Sequence, residues 1–137
     1  MPPDKNPEAR RWFQKVSQDL AAGTVVLHAT LPLLEDALFH AQQAAEKAIK
    51  GYLAWHGAPF RKVHDLREIA GAAIGIDPSL EPLLKRSAVL TPFAGVFRYP
   101  AGDLGEPSQE DAAQALLLAR EVYQAILDRL PQEVRPE

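Results

Sequence analysis

The sequence predicts an all-α protein, an up-and-down bundle of four or five helices. Apolar residues recur at intervals of three or four along most of the chain, which is the spacing of a helix with one buried side. No segment shows the sustained alternation of apolar and polar residues that is typical of a half-buried strand. A length of 137 residues fits one domain. We therefore expect a single domain over residues 1–137, with its core in about 7–130 and frayed ends.

The first two helices are predicted from their start and stop signals. Asn6 followed by Pro7 supplies an N-cap and a proline for the first turn. Pro32 opens the second helix, and Gly57 is a typical stop residue. One side of the second helix is small and apolar, so we expect it to be buried against a close neighbour. That side consists of Ala41, Ala45, Ala48 and Tyr52.

Three further helices follow, each with a local signal at its start. The third begins at His64 or a neighbour, and the fourth begins at Asp77–Pro78. Pro92 lies inside the fourth pattern, and we expect a kink there because the apolar spacing continues through Phe93, Val96 and Phe97. The segment 108–111 (Ser-Gln-Glu-Asp) resembles a capping box and begins the last helix.

Composition excludes several classes of function. The net charge of −3 argues against a broad nucleic-acid-binding surface, which needs many phosphate contacts. The absence of cysteine excludes disulfides, thiolate nucleophiles and Cys-based zinc sites. The four histidines show no metal-ligand spacing, so we predict no metal and no cofactor. No apolar run suits a signal peptide or a membrane helix, so we expect a cytoplasmic protein with no membrane contact.

Three polar clusters are candidates for a site. One lies on the second helix, one is the segment 62–66 and one is the segment 97–100. Each has an ordinary structural interpretation: a solvated helix face with an ion pair, a cap at a helix start, and a cation at a helix end. The helix cluster consists of His40, Gln43, Glu46, Lys47 and Lys50.

The order and spacing of these clusters resemble the HEPN domain family (higher eukaryotes and prokaryotes nucleotide-binding domain). The family pattern has an Asp-Leu pair in its first helix, a Gln-Ala-x-Glu-Lys-x-x-Lys core in its second, and then His-Asp-Leu. A kinked helix and Arg-Tyr-Pro follow. The matching segments here are Asp19-Leu20, Gln43–Lys50, His64–Leu66, Leu90–Phe93 and Arg98–Pro100.

The resemblance implies a helical bundle that often dimerises, and it implies two classes of function. Some members are metal-independent ribonucleases, often toxins, paired with a nucleotidyltransferase-fold antitoxin. Others bind nucleotides or act as non-catalytic partners of the transferase. The ribonucleases carry a catalytic histidine shortly after an arginine. Arg98 matches that arginine, but no histidine follows it.

The missing histidine removes the natural acid or base for metal-free RNA cleavage. We therefore expect a nucleotide-binding or accessory protein that acts with a nucleotidyltransferase-fold partner and has no catalytic residue of its own. One alternative is a metal-independent ribonuclease toxin whose base is His64 or His40. Another is a dimeric interaction module without a ligand.

The predicted binding residues come from all three clusters, and we expect them to converge on one cleft. Three cations gathered there would repel one another, so we expect a nucleotide or RNA phosphate to balance them. A homodimer is also expected, with Phe39, Trp55 and Phe60 as spare interface anchors. The predicted binding residues are Gln43, Lys47, Lys50, His64, Asp65, Arg98 and Tyr99.

Overall fold

The helical prediction is confirmed. The computed structural model describes residues 5–60, 62, 65–94 and 107–136, with side chains from residue 7 onward. Within those ranges the chain forms five α-helices and no strand. They are α1 (Lys5–Leu27), α2 (Leu34–Trp55), α3 (Leu66–Ile76), α4 (Glu81–Ser87) and α5 (Gln109–Leu127). Short 3₁₀ helices occupy Pro78–Leu80, Ala88–Ala94 and Gln132–Val134.

Three helix ends follow the predicted signals, whereas α1 begins at Lys5 and so includes Asn6, which was predicted as its N-cap. Ser108 and Asp111 form the full capping box at the start of α5. Asp65 caps α3, since its side chain accepts a hydrogen bond from the backbone N–H of Arg67. Gly57 follows α2 with φ of 65°, a conformation that favours glycine over residues with a Cβ.

The effect of Pro92 on the helix begins earlier in the chain than the predicted kink at Pro92 itself. The α-helical hydrogen bonding ends at Ser87, and Pro92 lies inside the 3₁₀ helix Ala88–Ala94. A proline has no N–H to donate, and its ring clashes with the carbonyl four residues earlier, here that of Ala88. The tighter 3₁₀ turn therefore replaces a kinked α-helix over this stretch. Val96 and Phe97, which carried the prediction further, lie outside the described residues.

Helix α2 is the centre of the bundle and packs against α1, α3, α5 and the 3₁₀ helix Ala88–Ala94. Its predicted apolar side is fully buried, as expected. Contacts with α1 run in opposite directions along the two helices: Asp19 contacts Lys47, whereas Phe13 lies beside Gly51. Helices α1 and α2 are therefore antiparallel neighbours.

Small residues bring α1 and α2 close together. A Cβ added to Gly51 would lie 2.6 Å from Cε1 of Phe13 and 3.0 Å from Cβ of Trp12. A Cβ added to Gly23 would lie 2.6 Å from Leu116 of α5 and 3.3 Å from Cβ of His40. Gly23 of α1 and Gly51 of α2 lie where another carbon would not fit, so the close approach of α1 to α2 and α5 depends on these two glycines.

The three aromatic residues predicted as interface anchors already have contacts within the protomer. Trp55 and Phe60 are partly buried against the core, and the Phe60 ring contacts the ring of Trp12 edge-on. Phe39 is also partly buried, with its ring against that of His40. Each ring keeps an exposed part, so the role of these residues at a dimer interface stays a prediction. Among the described residues, the exposed large apolar side chains are Val25, Leu31, Leu33, Ile76, Val89 and Leu117.

A polar link joins the segment just after α5 to the start of the 3₁₀ helix Pro78–Leu80. Asp77 accepts hydrogen bonds from the backbone N–H and the hydroxyl of Ser79, and its other oxygen lies 2.8 Å from Nε of Arg129. These donors, the Ser79 hydroxyl first, lower the pKa of the Asp77 carboxyl because they favour its charged form.

Among the described helices none is long and apolar enough to cross a membrane.

Gly51→Ala should destabilise the protein by about 1–3 kcal/mol, because the new methyl group enters the fully buried contact between α2 and Phe13. Gly71→Ala is the matched control, since a Cβ at Gly71 meets nothing within 4 Å. That change should stabilise α3 by up to about 1 kcal/mol through helix propensity. Urea denaturation of both variants measures the difference. Equal effects of the two substitutions would contradict the close approach.

Candidate functional site

A buried carboxylate joins α1 to the polar side of α2. One oxygen of Asp19 lies 3.0 Å from Nδ1 of His40, and the other lies 2.7 Å from Nζ of Lys47. His40 and Lys47 are seven residues apart, so they share one face of α2 two turns apart. Asp19 is only 8% exposed, whereas the other two side chains are each about a quarter exposed. We call these three residues the Asp19 cluster.

The Asp19 cluster determines how His40 presents its ring. An ionised carboxylate only accepts hydrogen bonds, so Nδ1 of His40 must carry the hydrogen and donate it in the hydrogen bond to Asp19. In the neutral ring this leaves Nε2 as an acceptor. Lys47 holds the second oxygen of Asp19, which keeps the carboxylate from turning away.

A second network runs along the same side of α2 but is buried. Nε2 of Gln43 donates to Gln42 over 2.6 Å, and Nε2 of Gln42 donates to Oε1 of Glu46 over 2.9 Å. Nζ of Lys50 donates to the other oxygen of Glu46 over 2.9 Å. Gln42, Glu46 and Lys50 are all buried, and we call them with Gln43 the buried chain.

Lys50 is enclosed by aromatic rings as well as by the carboxylate of Glu46. Its Nζ lies 5.9 Å from the ring centres of both Trp12 and Phe60. An ammonium over aromatic faces is stabilised by the ring quadrupoles, the more so when water is excluded. Lys50 therefore ties α2 to the start of α1 and to the segment after α2.

The polar side of α2 therefore differs from the solvated face that its sequence suggests. The Glu46–Lys50 pair forms as predicted but is buried. Gln42 was missed, because it lies among the small apolar residues of the helix. Its i,i+4 spacing to Glu46, which allows an amide to bond a carboxylate, was the available signal.

Charge balance corrects one expectation. Lys47 and Lys50 each lie within 3 Å of a carboxylate, so these two cations are already paired. Two of the three cations in the predicted cleft therefore need no anionic ligand for charge balance, because Asp19 and Glu46 supply it within the fold, whereas Arg98 lies outside the described residues. What distinguishes the two lysines is accessibility, since the side chain of Lys47 is 22% exposed and that of Lys50 only 8%.

The other predicted residues are placed only in part. Asp65 is half exposed; its carboxylate accepts a hydrogen bond from the backbone N–H of Arg67 and forms a 3.7 Å ion pair with the guanidinium of that residue. His64, Arg98 and Tyr99 lie outside the described residues. The predicted convergence of all three clusters therefore stays a prediction, and the described part of it consists of α2 residues with Asp19.

The described tyrosines are held in their neutral form. Burial raises the pKa of Tyr52, and the carboxylate of Asp77 adds to the effect. Burial also raises the pKa of Tyr123, against the hydrogen bond from Ser17. Neither hydroxyl is suited to act as a base near neutral pH.

Among the described residues no three His, Asp or Glu side chains are grouped to hold a metal ion.

A family model described as HEPN domain matches residues 9–130. The match runs from the first turns of α1 to just beyond the end of α5, so it includes the Asp19 cluster and the buried chain. No curated protein matches the chain, and no solved structure does.

Lys50→Met should destabilise the protein by about 3–5 kcal/mol, because it leaves the buried carboxylate of Glu46 without its ammonium. The double variant Glu46→Gln/Lys50→Met should recover part of that loss. Lys85→Met is the control, since its i,i+4 pair with Glu81 is largely exposed and should change stability by less than about 1 kcal/mol. Thermal and urea unfolding measure all three. A loss at Lys50 as small as that at Lys85 would contradict the structural role.

Proposed function

The chain belongs to the HEPN domain family, and from that premise we propose that it binds a nucleotide through the accessible end of the polar side of α2. Membership supports a nucleotide-binding or ribonuclease-like role. The observation that carries the proposal is the partly exposed ammonium of Lys47, whose side chain is 22% exposed and is held in place by Asp19 beside His40 and Gln43. An ammonium has three N–H donors, and the contact with Asp19 uses one of them.

The two lysines of the family motif have different roles in this proposal. Lys47 contacts the phosphate of the ligand, because it is accessible and has donors left. Lys50 has a structural role instead, because it is buried against the carboxylate of Glu46 and two aromatic rings. Arg98 completes the phosphate site as a second cation, on the strength of its place in the family pattern.

The proposal extends to a nucleotidyltransferase-fold partner, in an arrangement like that of a toxin and its antitoxin, with no catalysis by this chain. The family resemblance supports the pairing, and the lack of a histidine after Arg98 supports the absence of catalysis. The ribonuclease alternative needs a positioned base, for which His40 is the described candidate and His64 the other. The third alternative is an interaction module without a ligand.

Lys47→Ala should weaken nucleotide binding by about 1–3 kcal/mol, the scale of a charge-assisted hydrogen bond to phosphate. Arg98→Ala should have an effect of the same size. Titration calorimetry with ATP, GTP and a short RNA measures both variants against the unsubstituted protein. Lys85→Ala is the control, because that lysine is also ion-paired but lies on α4.

Melting curves accompany the titrations, since Lys47→Ala also leaves the buried Asp19 with only His40 as a partner. A folded Lys47→Ala variant that binds as tightly as the unsubstituted protein would contradict the phosphate role. Binding of none of the three ligands would favour the interaction module. RNA cleavage that depends on His64 or His40, with growth arrest when the protein is expressed alone, would favour the ribonuclease.

We extend the proposal to a homodimer, on the basis of the family resemblance. The interface draws on the predicted aromatic anchors, which are only partly buried in the protomer, and on exposed apolar side chains such as Val89 and Leu117. Sedimentation velocity at micromolar concentration should give about twice the mass of 15.1 kDa. A monomer at high micromolar concentration would contradict the dimer.

A further inference from the structure

We propose that His40 binds a ribose hydroxyl of the ligand, so that the site accepts ribonucleotides in preference to their deoxy analogues. This inference rests on the proposed function, because it concerns the sugar of the same bound nucleotide. It adds a specificity-determining residue that lies outside the family motif Gln43–Lys50 and outside the predicted set of binding residues.

The first step is the fixed orientation of the His40 ring. Asp19 accepts from Nδ1 and is itself held on its other oxygen by Lys47. Because the carboxylate is held at both oxygens, the ring that donates to it is held as well. The side chain of His40 is 27% exposed, so the ring is not sealed inside the bundle. Its second nitrogen, Nε2, is the atom left to meet a ligand.

The second step is the distance between the ring and the proposed phosphate contact. His40 and Lys47 are seven residues apart, yet both bond to the same carboxylate, at 3.0 and 2.7 Å. The imidazole and the ammonium are therefore side by side. A nucleotide likewise carries its hydroxyls and its phosphate on one sugar. A phosphate at Lys47 thus brings the ribose to the neighbourhood of His40.

The third step is the match of hydrogen-bonding groups. A sugar hydroxyl is both donor and acceptor, so it can bond Nε2 in either protonation state of the ring. A site that bonds a hydroxyl discriminates against a ligand without it, because its own polar atom is then left unpaired. A ribose hydroxyl is also the group by which proteins distinguish RNA from DNA.

The experiment is titration calorimetry with ATP, 2′-deoxy-ATP and 3′-deoxy-ATP. At least one deoxy analogue should bind the unsubstituted protein about three- to tenfold more weakly than ATP, which corresponds to one hydrogen bond. In His40→Asn that ratio should fall to about one. The asparagine amide can still donate to Asp19 as Nδ1 does, but it has no atom in the place of Nε2. His28→Asn is the control, because His28 is exposed and bonds the backbone of Thr24, and it should keep the discrimination.

A second measurement avoids any substitution. The ¹⁵N resonance of Nε2 of His40 in the unsubstituted protein should shift on addition of ATP, and less on addition of the weaker deoxy analogue. Equal affinity for all three nucleotides, or discrimination that persists in a folded His40→Asn variant, would overturn the ribose contact while leaving nucleotide binding intact. Binding of none of the nucleotides would overturn the proposed function and this inference together.

Discussion

The close packing of α1 against α2 is the constraint on which the rest of the structure depends. Gly23 and Gly51 leave no room for a Cβ at their contacts. The carboxylates of Asp19 and Glu46 lie in this tightly packed region with little access to water, at 8% and 3% exposed. A carboxylate in such a place is costly unless it is paired and hydrogen-bonded. The polar contacts of Asp19 and Glu46 are consequences of that requirement.

Both buried carboxylates of the described residues are satisfied in the same way, by an ammonium on one oxygen and an imidazole or amide N–H on the other. For Asp19 the partners are Lys47 and His40, and for Glu46 they include Lys50 and Gln42. Such pairs add little net stability compared with apolar residues of the same volume, but removing one partner is costly. Their value here is positional, because each pair holds a cation or a ring at a defined place on α2.

The degree of burial separates a structural part of α2 from the candidate binding part. Lys50 is buried and faces the rings of Trp12 and Phe60. The Asp19 cluster is partly open, and Lys47 and His40 have a donor and an acceptor left beyond their contacts with Asp19. One helix face thus carries a structural ion pair and a candidate binding site within three turns.

The sequence by itself determined the fold class, the helix starts at Asp65 and Ser108 and the buried apolar side of α2, because these depend on spacing and capping within a few residues. The sequence also identified the family, because the family motifs occur in their expected order along the chain. Only the tertiary structure decided which lysine is accessible, that the side chain of Gln42 is buried, and that Asp19 bonds to both His40 and Lys47. The physical reason is that burial and charge pairing depend on neighbours from other helices, and a helical repeat records which face a residue occupies but not what packs against it.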